Sequence, residues 1–482
     1  MKLSLLHISD LHRDPTNPIG NNALLDSMEN DRRRYTEEQE PTIRSPDLII
    51  VSGDVIQGIE PDIFDPEKAL KQQYDEALAF LVELARRFVD GDRDRVIVVP
   101  GNHDISAYHF FRSLKRVDIA PDRKKGLVSQ LFSANSLLRW SWSDLELHEI
   151  TDASTYAARL AAFADFYKEF YGGTRSYSLN SAEQFDLFDF PKFGLTVAGL
   201  CSCYNNDLFN RQGDIHPDCL GAVGSKMHDR RYQGRLRIAV WHHNTEGLPL
   251  QFDYMDPDII QNLIDRGFSL GLHGHQHRPQ FLDTRFQYQG GRRMTVISAG
   301  TLCGGPSFRF GRAYNIIELD TEQNTGLLHL REMQNDNLRL PIWGRRSLPP
   351  HIKGYLEFHY DPPPEPMVRV APASAILIEA QRMHDTQNYR DAADMLADTA
   401  QSDDLARRLL LDCLVQLKDL SAIISHFDPP ISETEAIHLM DALWEQGDKD
   451  RIWRILQLPI VAGTADLSLI EIRDKYAARL KS

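Results

Sequence analysis

The stretch DRVIVVPGNHD, Asp94–Asp104, decides how this chain is read. Val96, Ile97, Val98 and Val99 form a short run of β-branched residues with Pro100 and Gly101 behind it, the pattern of a buried strand that stops abruptly. An amide, an imidazole and a carboxylate follow at once, as Asn102, His103 and Asp104. In an open α/β sheet the carboxyl ends of strands converge over one crevice, so ligand-type side chains placed there point to a site.

The same design recurs outward from this stretch. KLSLLHISDLH ends on Asp10 and His12, PDLIIVSGD on Asp54, RLRIAVWHHN on His242 and His243, and FSLGLHGHQH on His275 and His277. FGLTVAGLCS and RMTVISAGT read as further buried strands. EKALKQQYDEALAFLVELARRF repeats Leu70, Tyr74, Ala77, Leu78 and Leu81 at helix spacing, which gives α/β alternation. Residues 105–191 are rich in aromatics and helical periodicity and are expected to form a helical insertion or cap. AYNIIELD and GLLHLREM, joined by TEQNT, are expected to close the core as an antiparallel pair.

Composition bounds the class. The 482 residues are 42% hydrophobic, ample for a core, and the formal charge of −15 argues against coating long nucleic acid by charge alone. Five cysteines make neither a disulfide framework nor a pair of zinc knuckles. The opening MKLSLLHISDLH lacks the apolar stretch of a signal peptide, and no segment reaches the roughly 20 apolar residues of a membrane span. The expected location is cytoplasmic, with no membrane partner. Residues 1–340 read as the core domain. From Pro341 to Pro372 eight of 32 residues are proline, so 341–372 reads as an extended linker. Residues 373–482 then turn helical, with Ser432 and Glu435 at capping-box spacing; AQRMHDTQNYRDAADML resembles a tetratricopeptide-type helix pair over less than two units, and an ordinary helical bundle is the equal alternative.

Carboxylate, amide and imidazole ligands without thiolate suit manganese, iron, zinc or nickel and suit calcium poorly. Seven candidate ligands exceed one ion's needs, and a metal pair sharing a bridging carboxylate is an arrangement for in-line attack on phosphorus by water. DLH, GD, GNHD, WHHN and GHQH, in that order, resemble the calcineurin-like metallophosphoesterase superfamily over about residues 1–335. The resemblance implies a four-layer α/β/β/α sandwich with two mixed sheets, here followed by an all-α domain. It implies two divalent ions, manganese first among the candidates. Asp10, His12 and His277 would hold one; Asn102, His242 and His275 the other; Asp54 would bridge. His103 would face the leaving-group oxygen with Asp104 fixing its orientation. Gly53, Gly101 and Gly274 each precede one of these residues, where the chain must turn sharply.

His273 lies on its strand and is expected to pack. His243 is expected to contact substrate or support a ligand, and Tyr204, Asn205 and Asn206 stand at a strand end that could reach substrate. Cys201 and Cys203 lack metal partners and are expected to pack. RRYQGRLR, GGRRM and GGPSFRFGRAYN could grip a phosphate backbone or stack on a base. The resulting expectation is a phosphodiesterase of nucleotides or nucleic acid. The alternatives are a phosphomonoesterase or protein phosphatase docking through the tail, and a non-catalytic scaffold, against which the intact ligand set argues. The tail, with 12 basic and 19 acidic residues from Ala371 onward, suits a protein partner better than DNA.

Overall fold

In the computed structural model, which describes residues 1–16, 19–119, 124–133, 136–247, 253–285, 292–346, 354–363 and 372–481, the seven apolar runs read as buried strands are all strands. The chain divides into two units, Met1–Pro366 and Met367–Ser482.

The first unit begins with β1 (Lys2–Ile8), β2 (Leu48–Ser52) and β3 (Val96–Val99), which pair in parallel with Ile8 beside Val51 and Ser52 beside Val99. Between them run α1 (Asn21–Arg33) and α2 (Pro66–Phe88). Helix α2 starts where Asp65 accepts a hydrogen bond from the Lys68 N–H and Pro66 supplies a preset φ. Leu70, Tyr74, Ala77, Phe80, Leu81 and Leu84 form its buried face.

The insertion is helical in part, at Ala107–Arg112, Lys124–Leu131, Ala153–Ala157 and Ala161–Phe170, and carries strands besides. β4 (Leu114–Arg116), β5 (Leu138–Ser141) and β6 (Glu146–Ile150) form a separate antiparallel sheet in the order β4-β6-β5. Buried and more exposed residues alternate along β5, a period-2 pattern too brief to stand out among the flanking helical segments. Residues 120–123 and 134–135 of the insertion lie outside the described residues.

The second sheet comprises β7 (Phe185–Phe190), β8 (Leu195–Leu200), β9 (Leu236–Val240), β10 (Leu270–His273), β11 (Gln280–Arg285) and β12 (Arg293–Ser298), in the order β11-β12-β10-β9-β8-β7. Its central four strands are parallel and its edges antiparallel. The chain then returns to the first sheet through the expected pair β13 (Ala313–Asp320) and β14 (Thr325–Met333), with β13 antiparallel to β1. One apolar core takes in Leu6, Ile50, Ile97 and Ile316 from the first sheet and Val197, Ile238 and Leu272 from the second, together with α1 and α2. The opposite face of the second sheet packs helices Pro217–Met227 and Pro257–Asp265. The layers are therefore helix, sheet, sheet, helix.

The proline-rich stretch is not only a linker. β15 (Trp343–Arg346) and β16 (Leu356–His359) both pair antiparallel with β14, extending the first sheet. Each lies in a proline-free window, so its N–H groups remain available to the ladder. Residues 347–353 and 364–371, with Pro349, Pro350, Pro364 and Pro366, lie outside the described residues.

The second unit is helical from Pro372–Asp385 to Leu467–Lys481 around its own core of Leu410, Leu414, Phe427, Leu439, Leu443 and Ile452. Half of the capping box forms there. Ser432 Oγ accepts from the Glu435 N–H at 3.3 Å, whereas the Glu435 carboxylate takes the Ile431 N–H and the Arg407 guanidinium. No helix among the described residues is long and apolar enough to cross a membrane.

Candidate metal centre

The loops leaving β1 and β2 are sewn together. The N–H groups of Asp10, Leu11 and His12 donate to the carbonyls of Gly53 and Asp54 at 3.1, 2.8 and 3.1 Å. The second sheet joins them from the other side: Gly274 N donates to His242 O at 3.0 Å, and His275 N crosses to Asp10 Oδ2 at 3.2 Å. Asp10, His12, Asp54, His275 and His277 all have positive φ, between 43° and 76°. Left-handed backbone costs a non-glycine residue about 1–2 kcal/mol, and five such residues at one place indicate local geometry held by the surrounding fold for a purpose. Gly53, at φ +96°, packs its bare Cα against the His242 ring, and a Cβ there would clash with that ring.

The side chains meet in overlapping groups. Asp10, His12 and His277 bring ligand atoms within 4.8 Å of one another, as do Asp10, Asp54 and His242, and His12, Asp54 and His103. His277 Nε2 lies 3.3 Å from Asp10 Oδ1 and 3.2 Å from His12 Nε2. On the other side His242 Nε2 lies 3.2 Å from Asp54 Oδ2 and 3.1 Å from Asn102 Oδ1, while His275 Nδ1 lies 2.9 Å from the same Asn102 oxygen. Asp54 stands between the two sets, 3.9 Å from His12 and 3.2 Å from His242. All seven expected ligands are thus brought together.

The donor chemistry fits divalent ions. His242 Nδ1 is 2.7 Å from Ser52 O and His277 Nδ1 is 2.6 Å from Gly305 O, so each ring gives its Nδ1–H to a carbonyl and turns Nε2 toward the cluster. Asp10 Oδ1 is buried and accepts no hydrogen bond. Burial, reinforced by His242, pulls His275 down to about 3, and burial pulls His12 to about 4 against the attraction of Asp54, leaving both imidazoles neutral. Burial pushes the Asp10 carboxyl up, but His277 and His242 outweigh it and hold it at about 2. Burial also pulls His242 down, and Asp54 more than offsets this, raising it to about 9.

Asp104 does not orient His103. Its Oδ2 accepts from the N–H groups of Gly101 at 2.8 Å and Val55 at 3.2 Å, and its Oδ1 accepts from Tyr74 OH at 3.0 Å. His103 is aimed instead by Gln57, whose carbonyl lies 2.6 Å from Nδ1, while the His103 N–H donates to Asp54 Oδ1 at 2.8 Å. Asp104 braces the turn that carries Asn102 and His103. Asp104→Ala is therefore expected to strand two buried N–H groups, at about 1–3 kcal/mol each, and to lower turnover equally for good and poor leaving groups. Thermal unfolding and a leaving-group series check both halves.

His243 is wholly buried, with Nδ1 2.8 Å from Ser202 Oγ and its ring packed against that of His275. Tyr204 packs edge-on to His216, and Asn205 Nδ2 donates to Asp214 at 2.9 Å; these contacts hold the loop after β8. His273 packs against Trp241, as expected, and Cys201 and Cys203 are buried free thiols. Members of two basic clusters are committed to the fold. Arg237 donates to the carbonyls of Arg266 and Met227, Arg292 to Pro362 O, and Arg293 pairs with Asp361. The third, around Gly304–Phe310, does adjoin the cluster through Gly305. Asp253 Oδ2, 3.9 Å from His275 Nε2, carried no sequence signal, nor did the carbonyls of Ser52, Gln57 and Gly305.

No curated protein sequence matches the chain. Solved structures similar to it include a dimetal phosphatase from Danio rerio, at 12% identity over 74% of this chain and 99% of that one with a TM-score of 0.38. Phosphopantetheinyl hydrolase from Mycobacterium tuberculosis is similar at 15% identity over 62% of this chain and 89% of that one, with a TM-score of 0.29. A family model described as calcineurin-like phosphoesterase matches residues 3–279, a span that starts in β1 and closes just past His277, and on that match the chain belongs to the calcineurin-like phosphoesterase family.

Proposed function

We propose that the chain hydrolyses phosphodiesters of nucleotides or nucleic acid at the cluster centred on Asp54. The observation that carries this reading is the meeting of two ligand sets at one carboxylate with His103 beside it. The family uses a dinuclear divalent centre. Asp10, His12 and His277 would hold one ion, Asn102, His242 and His275 the other, with Asp54 shared and manganese the expected metal. Such ions, when bound, would stabilise negative charge building on the phosphoryl oxygens and lower the pKa of water at the site.

His103 acts on the departing oxygen. Its Nδ1–H is committed to Gln57 O, so Nε2 is the atom that hands over a proton when the ring is an imidazolium. His103→Ala is expected to leave metal content intact and to slow alkoxide departure by about 10²-fold while sparing p-nitrophenolate. Loss of a metal in that variant would make His103 a ligand instead.

Support for a nucleotide-type substrate comes from the loop after His277's anchor. Phe308 there is fully exposed, three residues beyond Gly305, and offers a ring on which a base can stack. Mono- and diesters, cyclic nucleotides and single- and double-stranded DNA assayed with added manganese test the reading; turnover confined to monoesters would replace it with a phosphomonoesterase. The helical unit, with exposed Ile431, Trp453 and Leu467, is the expected docking surface for a protein partner, through tetratricopeptide-like helix pairs. Five free cysteines suit action in a reducing cytoplasm.

A further inference from the structure

A cavity of about 510 Å³ opens beside His103, with Asn102 and His103 on its wall. Its position on the His103 side makes it the room into which the departing group moves, and this step rests on the leaving-group role given to His103 above. The cavity walls carry two carboxylates, Asp14 and Glu60, the carboxamides of Gln57 and Gln72, and the half-exposed apolar side chains of Ile63 and Leu208. Among the described residues lining it there is no lysine or arginine. Asp14 is fixed in place, its oxygens accepting from the Thr16 N–H at 2.9 Å and Thr16 Oγ1 at 2.7 Å.

These walls are wrong for a nucleic-acid strand. A polynucleotide continuing past the scissile bond would bring its next phosphate toward Asp14 and Glu60 with no lysine or arginine among the described lining residues to meet it, whereas strand-binding grooves track the backbone with positive charge. They are right for an alcohol without a phosphate of its own. Carboxylates and carboxamides accept from ring N–H, amino and hydroxyl groups, and Ile63 and Leu208 offer apolar surface to a flat ring.

We infer that the leaving group is an uncharged, hydrogen-bonding alcohol of about nucleoside size, so that the substrate is a small nucleotide ester rather than a strand continuing on that side. The expected selectivity is set by charge. A phosphate added to the leaving nucleoside lowers kcat/KM by at least about tenfold, and the penalty shrinks as salt screens it.

The test is a matched pair of diesters, thymidylyl-thymidine and the same compound bearing a 3′-phosphate on the departing thymidine. A parallel pair of monoesters, thymidine 5′-phosphate and thymidine 3′,5′-bisphosphate, is run beside it with the full-length protein and manganese. The inference expects the extra phosphate to be penalised in whichever series is turned over, and the penalty to fall toward unity in Asp14→Asn/Glu60→Gln. Equal or faster turnover of the phosphorylated member overturns it, as does a penalty unchanged in the double variant. Hydrolysis of monoesters alone defeats the phosphodiesterase reading while still scoring this one, and no hydrolysis in either series removes both.

Discussion

Asp54→Asn is expected to lower kcat/KM by about 10³-fold or more and to reduce the bound metal, while the protein stays folded. The substitution keeps the shape, and an amide oxygen can still accept the His103 N–H that Oδ1 now takes at 2.8 Å. What it removes is one negative charge from a place where both ligand sets meet, with Oδ2 3.2 Å from His242 Nε2 and 3.9 Å from His12 Nε2. Two unit charges about 4 Å apart interact by about 4 kcal/mol at an effective dielectric of 20, and each 1.36 kcal/mol is tenfold in rate, which sets the scale of the loss. The variant also takes away the partner that raises His242, so that ring becomes easier to deprotonate even as the site loses affinity. Elemental analysis and steady-state kinetics on a chromogenic ester, with unfolding followed alongside, separate loss of the centre from loss of the fold. Full turnover with asparagine at this position would show that Asp54 is not shared between ions.

Much of this site is visible in the chain because a buried strand has a plain signature. Val96–Val99, Leu48–Ser52 and Leu236–Val240 are short apolar runs, and the residues that follow each of them are the ones that meet. Direction is another matter. His103 and Asp104 are adjacent in sequence, yet one carboxylate turns inward to Gly101, Val55 and Tyr74 while the neighbouring ring is held by Gln57 O. No side-chain identity can announce a carbonyl, so the groups that fix the tautomers of His242 and His277 have no letter in the sequence. Arg237 and Arg293 misled for a related reason: a guanidinium that caps Met227 O or pairs with Asp361 is written as one that would grip phosphate. The period-2 pairing of β5 with β6, and of β15 and β16 with β14, was hidden because each run is short.

The insertion reaches the cavity wall through a buried ion pair, and that pair carries the second large expected effect. Arg139 on β5 places Nε 2.6 Å from Asp207 Oδ2, and both side chains are nearly inaccessible to solvent. Tyr156 OH also donates to that oxygen at 2.8 Å, and Arg159 donates to the carbonyl of Cys203 at 2.9 Å. Asp207 in turn accepts from the N–H groups of Phe209 and Asn210 with its other oxygen, holding the turn that presents Leu208 to the cavity. Arg139→Met leaves a buried carboxylate without its cation, and breaking one half of such a pair costs about 3–5 kcal/mol. Adding Asp207→Asn removes the stranded charge and keeps an oxygen for Phe209 and Asn210, so the double variant should recover more than half of that loss. The asymmetry follows from desolvation: most of the penalty belongs to the orphaned charge and little to the attraction given up. Chemical denaturation of the two variants beside the parent protein measures it. A double variant as unstable as Arg139→Met alone would mean that the guanidinium acts by filling space, through its aliphatic stem and its contact with the Tyr156 ring, and that charge pairing is not what fastens the insertion to the loop at the cavity.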